Sequence, residues 1–250
     1  MQRTKLPTGG YIATITTSAT ESANVQIQNT IDNMRRVPDG YDIRKYSDSA
    51  RKELLAGGTI QIMSMSGTRV LEEVPKLALV VVSSVFREHL EHNPNATTIT
   101  VFDPFINYAA VSTLLQWVNT ITKSSGEFSV SVVRRPIAIG LIKIYHAAHH
   151  LGMERYVDRF SKTYKDGLIE RIPITPECLV LERCSLTDCS LTDWINALGA
   201  RLAYLRRVRK LHAVDCAKFQ DVFSKCHKLA QAVRDADARL NAKRGGVLPE

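Results

Sequence analysis

Apolar residues are spread unevenly along this chain, and their period changes several times. Thr59–Met65 alternates weakly through Ile60, Ile62 and Ser64, which predicts a strand. Ser66-Gly67 predicts a turn, and Arg69–Val74 the returning strand of a hairpin. Pro75 lacks an N–H, so it suits the end of that strand and the first turn of a helix. The run Lys76–Val82 (KLALVVV) is apolar on nearly every side and predicts a buried helix. Ser83 and Ser84 stand where they can cap a second short helix carrying Val85, Phe86 and Leu90. Thr97–Phe102 predicts a third strand. Asp103-Pro104 then reads as an N-cap and first-turn proline, with Ile106, Ala110, Leu114 and Trp117 at helical spacing and a polar loop at Thr120–Gly126. Ile137–Leu151 predicts a further helix ended by Gly152, and Met153–Tyr164 a shorter one.

The flanks read differently. Residues 1–56 are rich in Thr, Ser, Asn and Gln and poor in periodic apolar positions. They are expected to be a largely disordered or loosely attached segment, with a short helix at Ser47–Leu55. Beyond Pro176 come helical patterns at Leu191–Leu211 and Ala213–Leu240. The second carries Phe219, Val222, Cys226, Leu229, Val233, Ala236 and Leu240 at alternating three- and four-residue steps. That stripe suits a helix packed on the preceding domain, or a coiled-coil contact. The expected organisation is therefore an α+β domain over 57–172, a basic C-terminal helical extension over 173–244, and a tail at 245–250. Its core is expected to include Leu79, Phe86, Leu115, Trp117, Ala148 and Leu151.

Charge sharpens this division. The 250-residue chain has a net charge of +8, and Arg201–Arg244 alone holds twelve Lys/Arg against four Asp/Glu. The basic character thus belongs to the extension. Within it, Arg206, Arg207, Arg209 and Lys210 lie close together, as a phosphate-binding patch or a solvated helix face would have them. All five cysteines fall in the last third, an odd number without paired spacing, which favours a reducing compartment. The N-terminus lacks the apolar core of a signal peptide, and Leu77–Val82 is far short of the ~18 residues of a membrane span. An intracellular protein, cytoplasmic or nuclear and without membrane contact, is expected.

No catalytic motif accompanies these elements. There is no phosphate-binding loop, dinucleotide fingerprint or nucleophile elbow. His146 and His150 are spaced i, i+4, which would present two imidazoles to one metal, but no third ligand follows and a structural role is expected instead. No catalytic, cofactor-binding or metal site is expected.

Three motifs in order resemble the BTB/POZ domain family, in particular its divergent fungal branch. Val74-Pro75-Lys76 with Leu79, Ser83 and Phe86 is similar to the family's strand end, buried helix and Ser-x-x-Phe closure. Val101-Phe102-Asp103-Pro104, then Leu114-Leu115-Gln116-Trp117-Val118-Asn119-Thr120, resembles its third strand and a helix ending in Trp-x-x-Thr. Ile144-Tyr145-His146-Ala147-Ala148, then Leu151-Gly152-Met153 and Tyr156, is similar to its last helix pair. The resemblance implies a small mixed sheet flanked by helices, with Leu79, Ser83, Phe86, Asp103, Leu115, Trp117, Ala148, Leu151, Gly152 and Met153 defining the fold. It also implies a non-enzymatic adaptor that binds other proteins or itself, through apolar contacts and strand addition. Lys76 takes the basic position of the family's dimer charge pair. Gly57-Gly58 stands where many members carry its acidic partner. The alternative function is nucleic-acid association through Arg206, Arg207, Arg209 and Lys210.

Overall fold

The computed structural model describes residues 3–5, 11–16, 21–36, 39–65, 67, 69–124, 129–132 and 137–245, with side chains from residue 23 to residue 242. The fold is α+β. The chain divides into two compact units, the first formed by residues 1–131 and 144–157, the second by 132–143 and 158–250. This differs from the expected boundary at 172: the helix Arg159–Glu170 belongs with the C-terminal helices.

The first unit is built on a mixed sheet. Its strands are β1 (Arg3–Lys5), β2 (Tyr11–Thr16), β3 (Thr59–Met63), β4 (Val70–Pro75) and β5 (Ala96–Phe102), in the order β1-β2-β5-β3-β4. β3 and β4 form the expected antiparallel hairpin, while β3 and β5 run parallel with Ile62 opposite Ile99. A parallel pair needs a crossover. Here it is made by two helices, α3 (Lys76–Val82) and α4 (Ser84–His92). All seven residues of α3 are buried, as its apolar run requires.

Ser83 joins the two crossover helices. Its Oγ accepts from Phe86 N at 2.9 Å, capping α4, and donates to Leu151 O. Leu151 follows the helix Ile137–His150, which closes in a left-handed turn. Gly152 sits at φ +64°, Gly152 N donates to His149 O at 3.3 Å, and Met153 N donates to Ala148 O at 2.7 Å. A Cβ at Gly152 would stand 1.9 Å from Ser84 Oγ, so this residue is glycine for contact as well as conformation. Leu79, Phe86, Leu115, Ala148, Leu151 and Met153 are buried here, and the Trp117 ring lies 4.7 Å from that of Tyr156.

Three expectations are corrected in this unit. The first concerns residues 1–56. Glu21–Arg36 is a sixteen-residue helix, α1, that packs on α3 and α4 and buries Ile27, Ile31 and Met34. Its apolar stripe is narrow and set among Asn, Gln and Asp, which hides the helical period. Downstream, the Tyr156 hydroxyl donates to Tyr41 O at 3.0 Å and accepts from Ile43 N at 3.4 Å, fixing the next segment. The helix α2 (Asp48–Glu53) follows, capped by Ser47. Second, Asp103 does not start the next helix. Its buried carboxylate accepts from Phe105 N and Ile106 N in a turn, and α4's successor, α5 (Tyr108–Lys123), is capped by Asn107. Third, α5 runs on through Thr120–Lys123, because the Thr120 and Thr122 hydroxyls bond back to Gln116 O and Val118 O.

The second unit is helical. Completing the numbering, α6 is Ile137–His150, whose first half lies in this unit, and α7 is Arg159–Glu170. α8 (Thr175–Ser185), α9 (Thr192–Arg207), α10 (Ala213–Lys225) and α11 (His227–Gly245) follow. α9 packs against α7, α8 and α11. At Gly199 a Cβ would come within 2.7 Å of Ala232 Cβ, so α9 and α11 meet closely. The expected single helix over 213–240 breaks at Cys226. The break comes from outside that stretch: buried Glu182 of α8 accepts from Lys228 N at 2.9 Å and Leu229 N at 3.0 Å, capping α11. Phe219, Val222, Cys226, Leu229, Val233 and Ala236 are all buried in this bundle, so the heptad stripe is core and not a coiled-coil seam.

Two outcomes follow from this packing. Ile31→Ala is expected to lower unfolding free energy by about 2–4 kcal/mol, as for a core aliphatic. A loss under about 1 kcal/mol in urea titration would show α1 to be peripheral. Burial, with a smaller push from His92, depresses the His89 pKa from 6.5 to about 4. The unfolded chain then takes up the His89 proton first as pH falls. Stability from this group is intact above pH ~6.5 and declines by about 2–3 kcal/mol down to pH ~4. His89→Gln should flatten that part of the pH profile, and an unchanged profile would contradict it.

Candidate interaction surfaces

The outer edge of the sheet is closed on the β4 side. Residues of an edge strand alternately turn their backbone groups outward, where another strand could pair. Here Ser112 Oγ of α5 donates to Leu71 O at 3.1 Å, and Asn119 Nδ2 donates to Glu73 O at 2.8 Å and Glu72 Oε1 at 3.2 Å. Pro75, next in line, has no N–H to offer. Strand addition at the β4 edge is thus opposed by the helix laid along it.

The β3–β5 register pairs Met63 with Thr100, so the segments leaving both strands emerge at the same end of the sheet. The hairpin turn is closed by Ser64 N donating to Arg69 O at 2.9 Å. The Tyr108 hydroxyl, which donates to Val101 O at 3.1 Å, also faces the Met65 backbone. Around this junction Met65 (47 % exposed), Val70 (47 %) and Phe105 (43 %) stand in solvent. None of the three carried a sequence signal, since each lies in or beside a turn.

Lys76, expected at an interaction surface, is buried. It is the first residue of the all-buried α3, and its Nζ donates to Pro94 O at 3.0 Å. Burial lowers its pKa. The remaining expected contacts lie at the α9–α10 corner in the second unit, where Arg206, Arg207, Arg209 and Lys210 are all exposed. Arg206 pairs with Asp237, and Arg207 Nη1 donates to Leu240 O at 2.8 Å. Arg209 occupies φ +52°, the position glycine usually takes at a helix C-terminus. Arg209 N donates to Arg206 O and Lys210 N to Leu205 O, completing the capping turn.

Several buried polar groups are engaged in holding the fold. Glu177 receives Arg171 Nη1 and Nη2 at 2.6 Å each and the Tyr164 hydroxyl at 2.7 Å, and the Tyr164 ring stacks on Trp194 with centroids 4.5 Å apart. His146 and His150 are both buried and bond to each other, Nε2 to Nε2, at 2.8 Å. Among the described residues, no group of three or more His, Cys, Asp or Glu is placed to hold a metal ion. Burial raises the thiol pKa of Cys178, Cys184 and Cys226, the last two to about 11, which keeps them protonated at neutral pH. No helix among the described residues is long and apolar enough to cross a membrane. No family model, curated protein or solved structure matches this chain.

Proposed function

We propose that the first unit is a BTB/POZ-like, non-enzymatic protein-interaction module, and that it binds through the hairpin end of its sheet. The observation that carries this reading is the exposure of Met65, Val70 and Phe105 near the hairpin end, beside a sheet edge already covered by α5. Apolar side chains held at one end of a well-packed sheet favour a protein partner or a second copy of the chain. The order of hairpin, buried helix, third strand and amphipathic helix supports the family reading. The charge-pair form of self-association is not part of the proposal, because Lys76 is used inside the fold.

The test is a triple substitution, Met65→Ser, Val70→Ser and Phe105→Ser, in the full chain. Wild type is expected to self-associate by light scattering or to retain a discrete protein in affinity capture from cell extract. The triple variant should lose that species with its melting temperature little changed. Retention of every bound species by the variant would refute the hairpin-end surface.

A second reading has one observation in its favour. Arg209 holds a left-handed backbone that costs a non-glycine residue about 1–2 kcal/mol, and the same turn presents Lys210. Strain kept at a cationic corner fits contact with a polyanion such as nucleic acid. Arg209→Gly with Lys210→Ala should then raise thermal stability while weakening binding to a duplex oligonucleotide and lowering its salt slope by about 2. Binding that is absent, or unchanged in the variant, would remove this reading.

A further inference from the structure

A small polar cavity lies in the first unit between α2 and the C-terminal end of α5. It is lined by Asp48, Arg51, Lys52, Thr122, Lys123 and Ser124, and its volume is about 110 Å³. A single water needs about 10–15 Å³ by the same measure, so there is room for a group of several heavy atoms. Three of the lining side chains are cations and one is a carboxylate, a local charge of +2. Arg51 forms the floor: it is 4 % exposed, and its guanidinium is fixed by Nη1 donating to Tyr46 O at 2.8 Å and Nη2 pairing with Asp48. Lys52 and Lys123 stand exposed at the rim.

The last carbonyls of a helix normally present negative charge. At the end of α5 one of them, Thr120 O, accepts from Ser124 N at 3.0 Å and Ser124 Oγ at 2.9 Å. The side chains lining the cavity are nonetheless mainly cationic, with one carboxylate already paired to the floor guanidinium. A fixed arginine below and two exposed ammonium groups above suit a compact tetrahedral dianion.

We propose that this pocket binds a phosphate group, carried by a small phosphorylated molecule or by a phosphorylated side chain. The probe is inorganic phosphate, titrated into the full chain at constant ionic strength and followed by amide chemical shifts. Saturable binding is expected, with the largest shifts in α2 and at Thr122–Ser124. Lys52→Ala with Lys123→Ala should weaken it by at least about tenfold, while Lys162→Ala, on an exposed helix face elsewhere, should leave it unchanged. A phosphoserine peptide binding more tightly than phosphate assigns the group to a protein side chain, and equal affinity assigns it to a small molecule. Absence of saturable binding, or binding that survives the double substitution, overturns the proposal.

Discussion

The first unit depends on one hydroxyl. Ser83 sits between two crossover helices at a place no water reaches, and its Oγ must satisfy both a donor and an acceptor. It accepts from the first turn of α4 and donates to the carbonyl that ends α6. That second bond draws the Gly152 turn against Ser84, where only a glycine fits. Tyr156, just beyond, then reaches both the Trp117 ring and the backbone at Tyr41–Ile43. A single buried polar contact thus links the crossover, the last helix and the N-terminal segment. An unsatisfied group here would carry the full cost of desolvation, which is why it ties these elements together so firmly.

The same economy shapes the surface. Parallel pairing of β3 and β5 forces α3 and α4 across one face, and α5 is left to run along β4. Its Ser112 and Asn119 occupy carbonyls that would otherwise template another strand. The buried charges are likewise internal. Glu177 is engaged by Arg171 and Tyr164, and Glu182 by the start of α11.

Much of the fold was legible in the sequence where local signals are strong. KLALVVV could only be a buried helix, Ser83 announced a cap, and Gly152 a helix end. The misreadings have a common physical cause, the distance of the deciding partner. β2 pairs with β5, more than eighty residues away, and a six-residue strand among polar neighbours gives little local sign of that. The break at Cys226 is dictated by Glu182 on another helix. Asp103 looks like a cap, but its carboxylate closes a turn at Phe105 and Ile106, and Asn107 caps α5. The surfaces were less legible than the core. Met65 and Val70 flank the hairpin turn while Phe105 comes from the turn after β5, and the cationic pocket gathers Arg51 and Lys123 from two helices; only folding brings either set together.

The central claim is that the Ser83 junction makes α1, the crossover and the end of α6 one cooperative body. Native-state hydrogen exchange on the intact chain tests it most directly. Amides around Ile31, Leu79 and Met153 should exchange through a shared opening, with the same free energy and the same denaturant dependence. Early, independent exchange of α1 or of Leu151–Met153, well below the opening free energy of α3, would contradict it.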